Sequence, residues 1–530
     1  MKKIILTMSA AVLCGLSLQA QTSYEVANVL ESDLNGTARF VGMGGAMSAL
    51  GADISTMGTN PAGTGLYRSC DMMFSYGVNS NKQMTRFGSN RNTTLNTSGD
   101  FNNVGLVFAN KVSNEGVLRF VNFGYNYHQV KNFNRDLYME GTLGGLSQSS
   151  QMAMQTYQND LIGDAFFDQS DAMHGFTNHN YYDDPNYGWL SLLGADSRLI
   201  DASCFDNAFY YPSDYCTFQG NESGHINEHD INLSFNFVDQ VYFGVTLALT
   251  DVHHSMYSEY TEAFEGGDYF FQNWYKTIGH GTSLKVGAIL RPFEESSFRV
   301  GVAATTRTVY NLHDYSSAFI STKLYNAGVD EEGNTCDLFY EMDTQSKDAF
   351  GGDCRTDYKL FTPGKINVSL GYTLESGLAL GAEWEYTNYG ASTLYESSGR
   401  ENTAMNQHTA NNFIGHNTFR FGAEKAFLDS FYARLGYNYA FGGFRTEAPD
   451  NSYKMIPINS VQTNTDYTNM KYAHNISGGF GYRGDVFYAD LALVYGVQKG
   501  YFYPFDNTEL STTILDRTQI KGVATIGFRF

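Results

Sequence analysis

The chain has 530 residues, with 34 Lys and Arg against 55 Asp and Glu, a formal net charge of −21. That excess of negative charge excludes a general nucleic-acid binder, whose phosphates demand the opposite sign. Aromatic residues make up 15% of the chain, with 38 Tyr and 39 Phe against 8 Pro, and the mean hydropathy is −0.32, which excludes a helical membrane protein and suits a transmembrane β-barrel, apolar outside and polar within.

Lys2 and Lys3, the apolar run Ile4 to Leu18 and the small Ala20 lay out a secretion signal over residues 1–20, with cleavage before Gln21. The run is too short to cross a bilayer as a helix, and no later segment has about eighteen consecutive apolar residues. Lipidation at Cys14 is the alternative, opposed by the bulky Leu13 before it.

Residues 21–69 read as a compact plug. The stretch from Ala38 to Tyr67 contains Gly42, Gly44, Gly45, Gly51, Gly58, Gly63 and Gly65, too many for the interior of a regular element. Phe40, Val41, Met43, Met47, Leu50 and Ile54 mark it as packed, and Asn60-Pro61-Ala62-Gly63 as a rigid turn. The run Gly42-Met43-Gly44-Gly45-Ala46, the pair Ala52-Asp53 and Asn60-Pro61-Ala62-Gly63 together resemble the amino-terminal hatch of the FadL/TodX family. That family consists of fourteen-strand outer-membrane barrels that transport long-chain fatty acids and other hydrophobic compounds. Thr64-Gly65 separates Gly63 from Leu66, where many members have Leu directly.

Residues 70–530 read as the barrel. Period-2 alternation recurs, as in Ile231, Leu233, Phe235, Phe237 against Asn232, Ser234, Asn236. Strands are expected near 70–79, 101–111, 116–130, 226–237, 241–254, 281–291, 297–312, 364–375, 378–392, 412–427, 431–443, 471–483, 486–503 and 518–530. The fold class is therefore all-β, a transmembrane antiparallel barrel of about 14 strands. Short connections alternate with the long ones 80–100, 131–225, 255–280, 313–363, 393–411, 444–470 and 504–517, as periplasmic turns alternate with external loops. The final Phe530 resembles the end that such barrels present to their assembly machinery.

The loop 131–225 is acidic, with Asp160, Asp164, Asp168, Asp171, Asp183, Asp184, Asp196, Asp201, Asp206 and Asp214. Leu143, Leu146, Ser150, Met154, Tyr157, Leu161 and Ala165 within it predict an amphipathic helix. A cover over the barrel mouth is expected, with a divalent-ion cluster as the alternative. In the family the third and fourth external loops form an apolar groove; here the second loop is the longest, so that groove is not carried over. Cys204 with Cys216, and Cys336 with Cys354, are expected as loop disulfides in an exported protein, leaving Cys70 free. Free thiols are the alternative.

No serine-hydrolase, metalloprotease or P-loop motif is present, so no enzyme, catalytic residue, metal or cofactor is expected. His128, His225, His229, His253, His254, His280, His313, His416 and His474 lie near outer strand ends, and haem uptake is the rival ligand reading. A surface adhesin or structural barrel is the rival from another class. The resemblance implies passive transport of a hydrophobic small molecule, in a monomer seated among lipid and lipopolysaccharide of a Gram-negative outer membrane. It also implies lateral release at a kink in the third strand. Asn122-Phe123-Gly124 is the candidate gate: Leu118 and Phe120 share one parity, Phe123, Tyr125 and Tyr127 the other. The alternative is a continuous strand that faces lipid through Val121, Phe123, Tyr125 and Tyr127.

Overall fold

The computed structural model describes residues 22–158, 180–201, 209–428, 430–445, 456, 457 and 459–530. Fourteen antiparallel strands close into one barrel. The first seven are β1 (Asp71–Phe87), β2 (Asn90–Lys111), β3 (Leu118–Asn132, continued by Arg135–Thr142), β4 (Ser213–Phe237), β5 (Val241–Phe264), β6 (Gly267–Leu290) and β7 (Arg299–Thr305, continued by Val309–Val329). The rest are β8 (Cys354–Phe361, continued by Lys365–Thr373), β9 (Leu378–Asn388, continued by Thr393–Glu396), β10 (Gly415–Ala426), β11 (Phe431–Phe441), β12 (Tyr467–Arg483), β13 (Phe487–Tyr503) and β14 (Thr513–Arg529). β1 pairs with β14 from Asp71↔Arg529 to Arg86↔Ile514. Cys70 and Phe530 then exchange two backbone bonds of 3.1 Å, so the wall closes on itself.

Side chains alternate across this wall as the period of a strand requires. On β13, Leu491, Leu493 and Tyr495 are 60%, 60% and 50% exposed, while Ala492 and Val494 between them are buried. Met72, Phe74, Phe243, Leu370, Phe421 and Ile526 extend the bare apolar band around the barrel. Water would penalise an uninterrupted band of that kind; bilayer hydrocarbon suits it. The inner face is polar, with Asn79, Asn126, Asn232, Thr246, Asn367 and Thr525 buried inside.

Two expected external loops are ladder instead. β1 and β2 stay paired up to Phe87↔Asn90, with the turn made by Gly88 at φ +56°. β5 and β6 stay paired up to Phe264↔Gly267, with Gly266 at φ +90° in the turn. Above the lipid both faces of β1 and β2 are polar, as in Ser80-Asn81-Lys82-Gln83, so no apolar alternation reveals them, and in β5 and β6 aromatic residues such as Tyr260, Phe271 and Trp274 fall on both faces. The segment between β3 and β4 does cover the mouth. Its helices α3 (Ser149–Gln158) and α4 (Trp189–Asp196) bring Met152, Trp189, Leu190 and Leu193 into an apolar cluster with Phe218, Phe271 and Phe502 of the wall. Leu161, Ala165 and the aspartates from Asp160 to Asp171, with Asp206, lie outside the described residues, as does the signal at 1–20. Among the described residues, no His/Cys/Asp/Glu group with metal-binding spacing falls in this segment.

The Cys336–Cys354 disulfide is not formed; both are free thiols. Cys336 sits on a short added strand (Thr335–Asp343) opposite Gly328 of β7, whereas Cys354 opens β8 opposite Ser316. Those two positions on one strand are about 40 Å apart at roughly 3.3 Å per residue, and a disulfide tolerates at most about 7 Å between Cα atoms. Cys216 is likewise free and buried, and Cys204 lies outside the described residues. Alkylation of the denatured, unreduced protein followed by peptide mapping is expected to label both Cys336 and Cys354.

Candidate functional site

The segment 22–69 fills the lumen. Its first helix, α1 (Ser23–Leu30), is capped by Thr22 and Glu25. It stands under the cover, where Tyr24 packs on Tyr467 at 4.9 Å between ring centres and Glu25 accepts a bond from Gln462 at 2.7 Å. The chain then descends through α2 (Ala38–Gly42) and two 3₁₀ turns, Ile54–Gly58 and Pro61–Leu66, to reach β1. Gly44 and Gly45 make the tight bend after α2 at φ +63° and +83°, values that a side chain disfavours.

What lets this folded segment lie against the wall is an inner belt of glycine. Gly371, Gly381, Gly422 and Gly436 stand directly opposite one another on β8, β9, β10 and β11. A Cβ on Gly422 would lie 2.5 Å from the Met43 carbonyl oxygen; one on Gly381 would overlap the Ala46 carbonyl, and one on Gly436 the Gly44 amide. Gly244 and Gly287, paired across β5 and β6, leave the same room for Pro61 and Asn60. Inward glycines at matched register are the signal that sequence reading missed.

Asn60-Pro61-Ala62-Gly63 therefore packs against β5 and β6. The Asn60 carboxamide accepts from the Ala62 amide at 3.1 Å and donates to the Ala288 carbonyl at 3.4 Å; Gly63 donates to the Asn60 carbonyl at 3.0 Å. The Thr64 hydroxyl meets Asn232 at 2.5 Å and Ser234 at 2.8 Å. The bulge expected at Asn122-Phe123-Gly124 is not formed. β3 pairs without a shift from Asn103↔His128 to Lys111↔Phe120 on one side, and its shifts against β4 fall at Leu118/Phe120 and Gln129/Lys131. The parity change is Phe120 turning inward, where it stacks under Arg68 at 4.7 Å. Asn122 instead fastens the end of the hatch, donating to the carbonyls of Thr64 at 2.8 Å and Tyr67 at 3.1 Å; Gly124 makes room for Met57, and Phe123 faces lipid.

Charge ties the other side. Arg39 grips Glu424 with two bonds of 2.9 and 2.8 Å. Glu424 also accepts from Arg434 at 2.6 Å, Arg434 donates to Asp490 at 2.7 Å, and Asp490 accepts from Arg483 at 2.6 Å. Charges this deep need such pairing. Within the hatch, Asp53 accepts from the Thr37 hydroxyl at 2.8 Å and the Ser55 amide at 3.0 Å. Burial holds its carboxyl above the ordinary range, against the pull of Arg39.

Between hatch and cover lies a cavity of about 250 Å³, reached by Glu31, His128, Lys285, Lys365, Glu385 and Arg517. His128 stands 3.6 Å from Glu228 and 3.5 Å from Asp230, a group of metal-binding type. The Lys285 ammonium already bonds both carboxylates, at 3.1 Å from Asp230, and supplies the cation there. His254 and His416 also point inward and are partnered by Glu222 and Thr418. His229 and His474 face outward against tyrosines, bonding Tyr125 at 2.9 Å and Tyr437 at 2.7 Å.

No family model matches the sequence, and no curated protein is similar to it in sequence. Solved barrels are similar to it in structure. The Pseudomonas putida toluene transporter TodX is 10% identical with a TM-score of 0.44, over 94% of this chain and 99% of that one. The Ralstonia pickettii toluene transporter TbuX is 12% identical with a TM-score of 0.43, over 94% and 99%. A Pseudomonas aeruginosa FadL homologue is 11% identical with a TM-score of 0.48, over 94% and 98%. The fold assignment rests on the strand register above.

Valine at Gly436 is expected to unseat the hatch at a cost of about 1–3 kcal/mol, the range for overpacking a filled interior. Alanine at Gly522, where nothing lies within 4 Å of a Cβ, is expected to be silent. Protease cleavage within residues 22–69 reads the difference, with heat-shifted gel migration confirming the barrel. Arg39→Ala is expected to raise the same cleavage.

Proposed function

We propose that this protein carries hydrophobic small molecules, long-chain fatty acids among them, across a Gram-negative outer membrane by passive diffusion, and releases them sideways through the barrel wall. The observation that carries the reading is a membrane-spanning barrel whose lumen is closed below by a hatch, leaving a cavity under a covered mouth. A hydrophobic solute has little reason to continue past that hatch into water. It gains roughly 0.8 kcal/mol per CH₂ by entering lipid instead. The lumen adds a chemical preference. Lys365 and Arg517 line the cavity, and among the described residues neither has a carboxylate within 4 Å. Two cations with no direct ion pair, their carboxylates Glu385 and Glu228 or Asp33 and Glu31 acting only at a distance, favour a solute with an anionic head over a plain hydrocarbon.

Gram-negative cells that lack their own fatty-acid transporter are expected to take up pyrene-labelled dodecanoic acid when they make this protein. No uptake above the empty-vector rate would overturn the reading. Replacing Lys365 and Arg517 by Ala together is expected to weaken binding of that probe about tenfold, which is about 1.4 kcal/mol. Affinity for a neutral hydrocarbon such as toluene is expected to stay within a factor of two. Hemin titrated into the purified barrel is expected to leave the Soret band of free hemin unshifted.

A further inference from the structure

Three neighbouring strands of the wall are interrupted, and the interruptions face one another. β7 breaks between Thr305 and Val309, β8 between Phe361 and Lys365, and β9 between Asn388 and Thr393. Below the break Thr305 opposes Lys365, and Lys365 opposes Thr387. Above it Val309 opposes Phe361, and Phe361 opposes Thr393. Register is thus kept on both sides of a gap that the backbone bond from the Thr362 amide to the Thr308 carbonyl, at 3.0 Å, still bridges between β7 and β8. Its causes are local. Pro363 has no N–H to give, and Tyr389–Ala391 winds into a 3₁₀ turn. On the β6 side the seam stays sewn, the Thr306 amide donating to Leu284 at 2.9 Å and its hydroxyl accepting from the Leu284 amide at 3.0 Å.

The gap has an inside and an outside. Inside, Thr305, Thr308, Thr362, Lys365 and Tyr389, which flank it on all three strands, line the luminal cavity. Outside, the exposed Arg307 reaches across it, donating to the Ala391 carbonyl at 2.9 Å and touching the Thr393 hydroxyl at 3.4 Å. The level is also informative. Thr362 lies eleven residues from Thr373 at the short-turn end of β8. At about 3.3 Å per residue and a tilt near 40° that is roughly 25–30 Å up the barrel, the outer rim of the apolar band. Val302, Ile366 and Leu370 face lipid just below, and Arg307 and Lys359 lie at the edge.

We propose that this aligned interruption of β7, β8 and β9 is the portal by which an amphipathic anion leaves the cavity for the outer leaflet, with Arg307 as its outer clasp. The inference rests on the transport reading above and places the opening away from Asn122-Phe123-Gly124 of β3, where the pairing with β2 and β4 runs unshifted. A portal at the rim lets the tail enter hydrocarbon while the anionic head passes from Lys365 to Arg307 without crossing an apolar layer.

The test uses Arg307→Ala, and Arg307→Cys carrying a bulky maleimide adduct, against the parent given the same label. Uptake of pyrene-labelled dodecanoic acid by cells is the readout, and heat-shifted migration confirms folding. Removing the clasp is expected to speed uptake severalfold. The adduct is expected to cut it to below a third of the labelled parent. If the adduct leaves uptake at the labelled parent's rate, the portal is overturned, whatever Arg307→Ala does. If the parent itself takes up nothing, the transport reading fails instead.

Discussion

The structure depends on how closely a folded segment can approach the inside of a sheet. A closed sheet of fourteen strands encloses a lumen too wide for its own small polar side chains to fill. The space must be left to water or occupied by another part of the chain. Here it is occupied, and a helix with two turns seats against strands only where the strands carry no Cβ. The glycines opposed across β8 to β11, and the pair on β5 and β6, provide that seat. Backbone then meets backbone: Met43 and Ala46 carbonyls and the Gly44 amide lie where side chains would otherwise stand.

Contact of that kind leaves polar groups to be satisfied, and the inner wall is built to satisfy them. Asn122, Asn232, Ser234 and Thr525 each bond the hatch, its main chain or the Thr64 hydroxyl, at 2.7–3.2 Å. The chain of charges from Arg39 through Glu424, Arg434 and Asp490 to Arg483 alternates in sign and spans four strands. In a buried setting each member needs its neighbours in the chain, because an unpaired charge there costs several kcal/mol. The hatch is held by a set of interactions on opposite sides of the lumen, so no single strand carries it.

Much of the wall was legible in the sequence, because a lipid-facing strand must alternate. Each of the fourteen expected segments overlaps a strand, and the closing strand ends beside Cys70 as a barrel requires. What alternation could not show was where the strands stop: β4 begins at Ser213 and not near 226, since polar residues occupy both faces there. The hatch was legible from its glycines and its Asn60-Pro61 turn. Its seat was not, because an inward glycine reads as weakness in one strand and acquires meaning only when its neighbours across the ladder are also glycine. The phase change at Phe120 was visible, but one residue turning inward against Arg68 looks in sequence like a bulge. The pairing of Cys336 with Cys354 looked natural at eighteen residues' separation. A tall arm of β7 standing between them makes it impossible.

The same physics supports the proposed opening at β7 to β9 over one at Asn122-Phe123-Gly124 of β3. Around Asn122, β3 is fastened to the hatch and paired without a shift to β2 from Lys111↔Phe120 to Asn103↔His128, so loosening it there would release the plug. β8 carries Pro363 in the wall, and a proline removes a ladder bond wherever it stands. The neighbours of that proline adjust to it, β9 by winding into a turn and β7 by sending Arg307 outward. The hatch residues nearest this sector sit lower: Leu50 and Ala49 lie against Gly371, on the periplasmic side of the gap. The wall is thus interrupted above the hatch's seat, at the level of the cavity that Lys365 lines. On the proposed reading, a solute with a charged head and an apolar tail meets there a boundary that matches both of its ends.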